Sequence, residues 1–302
     1  ELVVDPGCDM KSSRAAVALA ERCSFVYAAA GIHPSDCAGI GEAEFSALRE
    51  LCGGYIESLA LPDTVKRIGN LMCYQCTSLR RLECGPGLTE VGGDAFMNCG
   101  KLREIRLRCD SGEKTGLRQM LAQLSGEITA VFLGKGGAGR AAKLLFTEYY
   151  ESYDEIAPAH LFGRNIEGEG FRARQCFTEG KPDFGQYDRT FIRACDGETE
   201  RTLCRLAMNR LLYPAGLSEQ AKRMYETYVS DHADCVCAQA VDVKDMQPVR
   251  YLCENRLIQA AVLDAALARA AKAGWAEGTA QLLNLKRTHF TGGARRYEFE
   301  DF

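Results

Sequence analysis

The stretch that decides the fold reads Leu59-Ala-Leu-Pro-Asp-Thr-Val65-Lys-Arg-Ile68-Gly69, and the chain repeats its pattern as Leu82-Glu-Cys-Gly-Pro-Gly-Leu88-Thr-Glu-Val91-Gly92. Each copy runs on to a cysteine that stands three residues before a leucine, at Cys76 and at Cys99. Strand-like apolar segments begin at positions 59, 82, 105 and 128, so the period is about 23 residues. A fixed period of this length predicts a solenoid, because one coil cannot bury its apolar side alone and neighbouring coils must stack.

The first residues of each row alternate between apolar and polar side chains. Side chains alternate along a strand, so the apolar members should point inward: Leu59, Leu61, Leu82, Cys84, Ile105 and Leu107. The residues between them should face outward. Arg81 would then lie beside Glu104, and Glu83 beside Arg106, pairing opposite charges across neighbouring strands. We take these four side chains as the candidate binding surface, and the alternative is a solvated sheet face without a partner.

These rows resemble the BspA-like leucine-rich repeat, which has an apolar strand, Pro-x-x-Val, Ile-Gly and then Ala-Phe-x-x-Cys-x-x-Leu. The matching segments are Pro62-Asp-Thr-Val65-Lys-Arg-Ile68-Gly69 and Ala95-Phe96-Met-Asn-Cys99-Gly-Lys-Leu102. The resemblance covers about residues 57–109 and implies a leucine-rich-repeat fold used in protein binding or adhesion. The third row departs from the signature, because Gly116–Leu124 is typical of a helix. Gly69 and Gly92 stand where a tight turn often needs positive φ, and we expect it there.

The segment before the repeats predicts a strand, a helix and a strand. Leu2–Asp9 opens with a short strand and a turn, Ser12–Arg22 is a helix capped by Ser12 or Ser13, and Phe25–Ala30 is a buried-type strand. Pro34–Gly41 also aligns without a gap to Pro62–Gly69, so residues 32–52 could be a degenerate first repeat. The preceding residues would then shield the end of the solenoid, as capping units do.

Residues 1–37 also resemble part of a TatD-type metal-dependent deoxyribonuclease. The resemblance is carried by Asp5-Pro-Gly-Cys-Asp9 and Tyr27-Ala-Ala-Ala-Gly-Ile-His33-Pro34. His33 alone matches a motif position near that family's active site, and the family's His-x-His pair and its Gly-Glu-x-Gly-Leu-Asp segment are not found. Metal-assisted hydrolysis needs several converging ligands. We therefore keep a metal-dependent nuclease relic with residual activity only as an alternative function.

Residues 135–186 predict a helix and an irregular linker. Gly134-Lys-Gly136-Gly-Ala-Gly139 fits Gly-x-Gly-x-x-Gly, which binds a dinucleotide when a helix follows, so nucleotide binding is a further alternative. No strand ending in an acid follows at the required distance, and a glycine-rich exit from the solenoid is the preferred interpretation. Ala138–Tyr153 is predicted helical, and 154–186 irregular with one short strand around Phe171–Phe177. His160 and Arg164 are the polar residues of interest in the linker.

The pattern from residue 187 to the end is helical. Seven segments are expected: Asp188–Cys195, Thr199–Leu212, one that begins after Ser218, Ala233–Ala240, Asp245–Asn255, Gln259–Ala273 and Ala276–Arg287. Asn255 and Gly274 are expected to end helices in the left-handed conformation. Residues 140–290 also resemble the helical region that follows such repeats in uncharacterised Firmicutes proteins, which implies no activity.

We therefore predict an α/β solenoid, a short leucine-rich repeat, followed by an all-α helical-array domain. The predicted parts are a βαβ or capping segment at 1–52, the repeat at 53–134, a helix and linker at 135–186, and a helical domain at 187–302. The apolar fraction of 46% and the net charge of -4 are ordinary, so neither a nucleic-acid nor a membrane partner is expected. No apolar run is long enough to span a bilayer.

The cysteines do not form a disulfide or metal pattern. Their number, 15, is odd and their spacing is not compact, which favours reduced thiols and a cytoplasmic protein, or a cell-surface one if a signal preceded Glu1. Cys73 and Cys76 match Phe96 and Cys99 in the repeat and are expected in its core. Cys235-Val-Cys237 is too tight for a zinc pair and has only His232 nearby. We expect no cofactor, no metal and no catalysis, and propose an unknown protein as the partner.

Overall fold

The chain divides into two compact units, and the structure is a computed structural model. It describes residues 3–23, 25–31, 56–134, 142–156 and 161–290, with single positions at 43, 47 and 51. One unit comprises residues 1–108 and 113–128, and the other 109–112 and 129–302. His33 and His160 lie outside the described residues, as does nearly all of the proposed degenerate repeat at 32–52. The four-part division at 52, 134 and 186 stays a prediction.

The N-terminal segment forms the predicted βαβ unit. Strands β1 (Val3–Pro6) and β2 (Val26–Ala29) are parallel neighbours, and helix α1 (Met10–Arg22) connects them. The predicted cap is wrong, because Asp9 caps α1 and accepts a hydrogen bond from the Ser12 backbone at 2.6 Å. Ser12 completes the capping box, and the buried Ser13 donates to the Gly31 carbonyl instead.

Five short strands build the repeat: β3 (Ser58–Ala60), β4 (Arg67–Ile68), β5 (Arg81–Cys84), β6 (Glu90–Val91) and β7 (Glu104–Leu107). Strands β3, β5 and β7 form a parallel ladder in which Leu59 pairs with Leu82 and Leu82 pairs with Ile105. Strands β4 and β6 form a second parallel ladder, which pairs Ile68 with Val91. The predicted register of the first three rows is therefore confirmed, and this part of the chain is a solenoid of stacked coils.

A third set of hydrogen bonds joins the turns of adjacent coils. The backbone N–H groups of Leu71, Cys73 and Gln75 donate to carbonyls in the next coil at 3.1, 2.8 and 3.0 Å. The left-handed turns lie at equivalent places in both coils: Leu71 (φ 56°) and Asp94 (52°), then Gln75 (60°) and Asn98 (64°). Positive φ was expected at Gly69 and Gly92, and this prediction is wrong because the chain turns two residues later.

The inward residues form the core of this unit. Leu82, Cys84, Ile105 and Leu107 are at most 1% exposed, whereas Leu59, on the first strand of the ladder, is half-buried. Other buried members include Leu61, Cys73, Cys76, Phe96 and Cys99. The cysteines at 73 and 76 are therefore core residues, as the repeat predicts. Their thiols act as small apolar groups inside the coil.

Helix α2 (Leu117–Leu121) confirms the expected helical third row. Two glutamine side chains at this end bond to the backbone of the preceding coil. Gln119 accepts from Val91 N–H at 2.6 Å, and Gln123 accepts from Phe96 N–H at 3.2 Å and donates to Gly92 at 2.9 Å. Side-chain amides thus satisfy backbone groups that another coil would otherwise bond.

The second unit begins with strands and not with the predicted helix. Strand β8 (Ile128–Phe132) starts at the predicted fourth row, and β9 (Ala142–Phe146) lies beside it. The prediction of a helix at Ala138–Tyr153 is wrong. A short buried apolar run can form either a helix or a strand, and here the buried residues form a strand.

The predicted irregular linker is also regular. Strands β10 (Tyr150–Ile156) and β11 (Leu161–Glu167) form an antiparallel hairpin. Helix α3 (Gly170–Ala173) follows, and β12 (Phe177–Thr178) pairs with β13 (Lys181–Pro182). Antiparallel pairing satisfies backbone groups that an irregular linker would leave to water.

Helices occupy the rest of the described chain, as predicted: α4 (Phe184–Gly197), α5 (Glu200–Leu212), α6 (Glu219–Asp231), α7 (Ala233–Val243), α8 (Gln247–Glu254), α9 (Ala260–Lys272) and α10 (Ala276–His289). Ser218 caps α6, as expected, by accepting from Ala221 N–H. Gly274 has φ +66°, but the left-handed residue after α8 is Arg256 and not Asn255. Within the described ranges, no helix combines the length and the apolar character that crossing a bilayer requires.

Candidate functional site

The outward face of β5 and β7 carries the four predicted site residues. The ladder places Arg81 opposite Glu104 and Glu83 opposite Arg106, as the sequence predicts. Arg81 Nε lies 2.7 Å from Glu104 Oε2, so the first predicted ion pair is confirmed. Two adjacent coils thus present charged side chains in register on one face.

The second predicted ion pair is wrong, although its backbone pairing is correct. Glu83 Oε1 lies 2.6 Å from Arg108 Nη1, while Arg106 Nε lies 3.1 Å from Glu104 Oε1. Arg108 follows Arg106 by two residues, so it emerges on the same face and reaches Glu83 diagonally. Its other guanidinium nitrogens bond to Asp63 Oδ1, at 2.8 Å, and to the Leu61 carbonyl.

Glu104 lies between two guanidinium groups. Burial acts to raise the pKa of Glu104, but the contacts with Arg81 and Arg106 outweigh it and hold the pKa below its ordinary value of 4.5. The contact from Arg106 is an ion pair without hydrogen-bond alignment, since its buried Nε has no hydrogen-bond acceptor. Glu104 therefore stays ionised and neutralises part of the charge of both arginines.

The face is a surface of mixed charge. We call it the charged face and define it by Asp63, Arg81, Glu83, Glu104, Arg106 and Arg108. It offers three guanidinium groups and three carboxylates, which can form ion pairs and hydrogen bonds with charges of the opposite sign. Arg108 could have been found from the alternation that places Arg106 outward. Asp63 could not, because it lies in a turn beyond its strand.

The other predicted sites gain little from the geometry. Of the glycine-rich loop the structure describes only Gly134, and the next described element is strand β9 where a dinucleotide site needs a helix. Arg164 lies on β11, where its Nη2 is 2.6 Å from Glu151 Oε1 and its guanidinium stacks over Phe171 at 5.1 Å. The ion pair with Glu151 joins the two strands of the hairpin, so Arg164 has a structural role here.

A cavity of about 360 Å³ lies within the second unit, between β9 and helices α5 and α7. Its lining includes the cations Lys143, Arg201 and Arg205, the acid Asp245 and an apolar part that includes Met208. This volume lies in the range of small-molecule sites, roughly 300–1,000 Å³. Sequence reasoning missed the cavity because its residues come from distant segments.

Comparison with known proteins identifies the repeat. Residues 38–116 match the family model of the BspA type leucine rich repeat region, with six copies. The match starts inside the segment 32–52 that was predicted to hold a degenerate repeat. No curated protein and no solved structure matches the chain. The resemblances to a TatD-type nuclease and to Firmicutes proteins receive no support from these comparisons.

Proposed function

We propose that this chain, which carries BspA-type leucine-rich repeats, is a non-catalytic protein that binds a partner protein through the charged face. The observation that carries the proposal is the register of β5 and β7, which sets Arg81 opposite Glu104 and Glu83 opposite Arg106. Stacked coils hold these side chains on a stiff backbone, so little conformational entropy is lost when a partner binds.

The charges of the face define the surface of the partner. Arg81 keeps 45% of its side chain exposed while it is paired with Glu104, so it can donate hydrogen bonds to a second carboxylate. Neighbouring strands are about 4.8 Å apart, so the partner needs acidic and basic groups that alternate at about that spacing. A protein surface offers both signs, whereas nucleic acid and anionic membrane offer only negative charge.

A pulldown with charge-reversed chains tests the proposal. The double variant Arg81→Glu and Arg106→Glu should lower recovery of a partner from the lysate of expressing cells at least tenfold. Arg67→Glu is the matched control, because Arg67 pairs with Glu90 across β4 and β6 in the same cross-strand manner, with Nε–Oε2 at 2.6 Å. Equal recovery with the double variant and the control would move the binding site away from the charged face.

The two alternatives are tested directly. DNA cleavage with divalent metal ions, with His33→Ala as control, tests the nuclease relic, and calorimetry with NAD tests nucleotide binding at 134–139. Turnover that depends on His33 would replace our proposal with an enzyme. The match of residues 38–116 to the BspA type leucine rich repeat region, a stacked repeat that presents an extended surface, favours the interaction role over both.

A further inference from the structure

Three side chains of metal-ligand type converge in the helical region. Glu200 and Cys204 stand one turn apart on α5, and Cys235 stands on α7. One carboxylate oxygen and the two sulfur atoms all lie within 4.8 Å of one another. Cys204 is buried, Cys235 is half-buried and Glu200 is exposed, so the cluster runs from the interior to the surface.

The packing of α5 on α7 fixes this cluster. An ion pair joins the two helices, with Arg201 Nη2 3.2 Å from Asp242 Oδ2. Gln239 on α7 donates through Nε2 to the Arg201 carbonyl at 3.1 Å. The same amide lies 3.1 Å from Cys235 Sγ, where it can orient the sulfur and stabilise a thiolate. The spacing on α5 places Glu200 and Cys204 side by side, because positions four residues apart share one helix face.

We propose that Glu200, Cys204 and Cys235 bind one Zn²⁺ ion, with a fourth coordination position open to solvent. The donor set selects the metal. Two thiolates disfavour Mg²⁺ and Ca²⁺, and the carboxylate disfavours Cu⁺, so a borderline-soft divalent ion fits best. Binding releases the protons of both thiols to water, and the resulting site has three protein ligands and one exchangeable position.

The geometry needs only a small adjustment to hold the ion. Ligand atoms around tetrahedral zinc lie about 3.6–3.8 Å apart, given zinc–sulfur and zinc–oxygen bonds of about 2.3 and 2.1 Å. The three ligand atoms lie within 4.8 Å of one another in this structure, so binding needs them to approach by at most about 1 Å. The exposed Glu200 side chain is free to rotate toward the ion. Cys204 also lines the 360 Å³ cavity, so the ion would adjoin that space.

His232 does not belong to this cluster, although the sequence places it near Cys235. Its Nδ1 lies 2.9 Å from the Tyr228 carbonyl, and its ring stacks on Tyr228 with centroids 4.2 Å apart. The zinc pair considered in the sequence, Cys235-Val-Cys237, is also not the one that forms. The ligand set crosses two helices, so a search for short motifs could not detect it.

Zinc affinity of the full chain tests this proposal. The protein is reduced, stripped of metal with a chelator and titrated with Zn²⁺ against a chromophoric competitor, and in parallel with Cd²⁺ to record thiolate-to-metal absorption. We expect Glu200→Gln and Cys235→Ser each to weaken the tightest zinc site at least about tenfold. The Cd²⁺ absorption should fall in Cys235→Ser but persist in Glu200→Gln, since a carboxylate contributes none.

Cys195→Ser is the matched control, because Cys195 is an exposed cysteine on the neighbouring α4 and lies outside the cluster. It should leave zinc affinity and Cd²⁺ absorption unchanged. Glu200 is exposed, so Glu200→Gln removes a ligand without removing core packing, and circular dichroism confirms that the variant is folded. Zinc affinity that is absent in the natural chain, or that is equal in Glu200→Gln, Cys235→Ser and the control, overturns the proposal.

Discussion

Arg210 and Asp188 form a bidentate ion pair in the interior of the helical region, with Nε–Oδ1 at 2.7 Å and Nη2–Oδ2 at 3.0 Å. The Arg210 side chain is fully buried and that of Asp188 is 5% exposed. The Tyr225 hydroxyl donates to Asp188 Oδ1 at 2.9 Å, and the Phe184 ring packs 4.8 Å from the guanidinium. Helices α4, α5 and α6 are thereby joined through one buried carboxylate.

Removing one partner of this pair should strongly destabilise the helical region. Arg210→Met leaves the Asp188 carboxylate buried without its counter-charge, and we expect the free energy of unfolding to fall by about 3–5 kcal/mol. Urea denaturation followed by circular dichroism measures the change. Arg193→Met, an exposed change on α4, should stay within about 0.5 kcal/mol. A loss below about 1 kcal/mol in Arg210→Met would contradict the prediction.

Two equivalent glycines of the repeat should respond differently to alanine. A Cβ atom at Gly92 would lie 2.4 Å from the Asn70 backbone nitrogen, whereas one at Gly69 meets nothing within 4 Å. We expect Gly92→Ala to lower the free energy of unfolding by about 1–3 kcal/mol, since the coils cannot separate without breaking their ladder. Gly69→Ala should be neutral or stabilise by up to about 1 kcal/mol. Thermal denaturation compares them, and equal effects would refute the close approach of the coils at Gly92.

The contribution of Glu104 to the free energy of unfolding should depend on pH. Its pKa is lowered in the folded chain, so the unfolded chain binds the proton more readily and acid favours unfolding. Glu104→Gln should cost about 1 kcal/mol at pH 7, and the difference should disappear as pH falls from 4.5 through the lowered pKa. Urea titrations at several pH values measure it. Glu90→Gln, in an exposed cross-strand pair, should cost less than about 0.5 kcal/mol. A pH-independent difference would refute the role of the Glu104 charge.

Replacing Gln123, at the end of the repeat, should destabilise the protein more than replacing an exposed residue of helix α2. Gln123→Ala removes the partner of the Phe96 N–H and of the Gly92 carbonyl, so we expect a loss of about 1–3 kcal/mol. Hydrogen exchange at the Phe96 amide should also accelerate. Arg118→Ala, an exposed change on helix α2 just before Gln123, provides the control. Unchanged exchange at Phe96 would show that water replaces the amide at no cost.

The repeat could be predicted because its signal is periodic. Leu59, Leu82 and Ile105 recur at a constant interval, and an interval fixes both register and facing direction before any contact is known. The C-terminal helices could be predicted because caps such as Ser218 and Gly274 mark their ends. Strand β9 could not, since a buried apolar run has no period that separates strand from helix.

The candidate sites are built from contacts between residues that are distant in sequence, and sequence reasoning predicted only some of them. It found Arg81 with Glu104, because directly opposite positions follow from register alone. It missed the ion pair of Arg108 with Glu83, because the long Arg108 side chain reaches diagonally across the strands. The spacing of residues along the sequence does not determine that rotamer. The cluster around Cys235 required the packing of α5 on α7, which no local pattern specifies.

Leucine, aspartate, glutamine and asparagine share the left-handed turns of the two coils, at positions 71, 94, 75 and 98. Aspartate and asparagine adopt that conformation readily, but leucine and glutamine do not, so the stacked backbone imposes it at Leu71 and Gln75. The backbone path of a coil is therefore set by the coil next to it, and an added coil would be shaped in the same way. A duplicated segment of about one period, inserted between the coils, should adopt the same path, so a gene carrying this repeat can lengthen or shorten it without inventing a new shape.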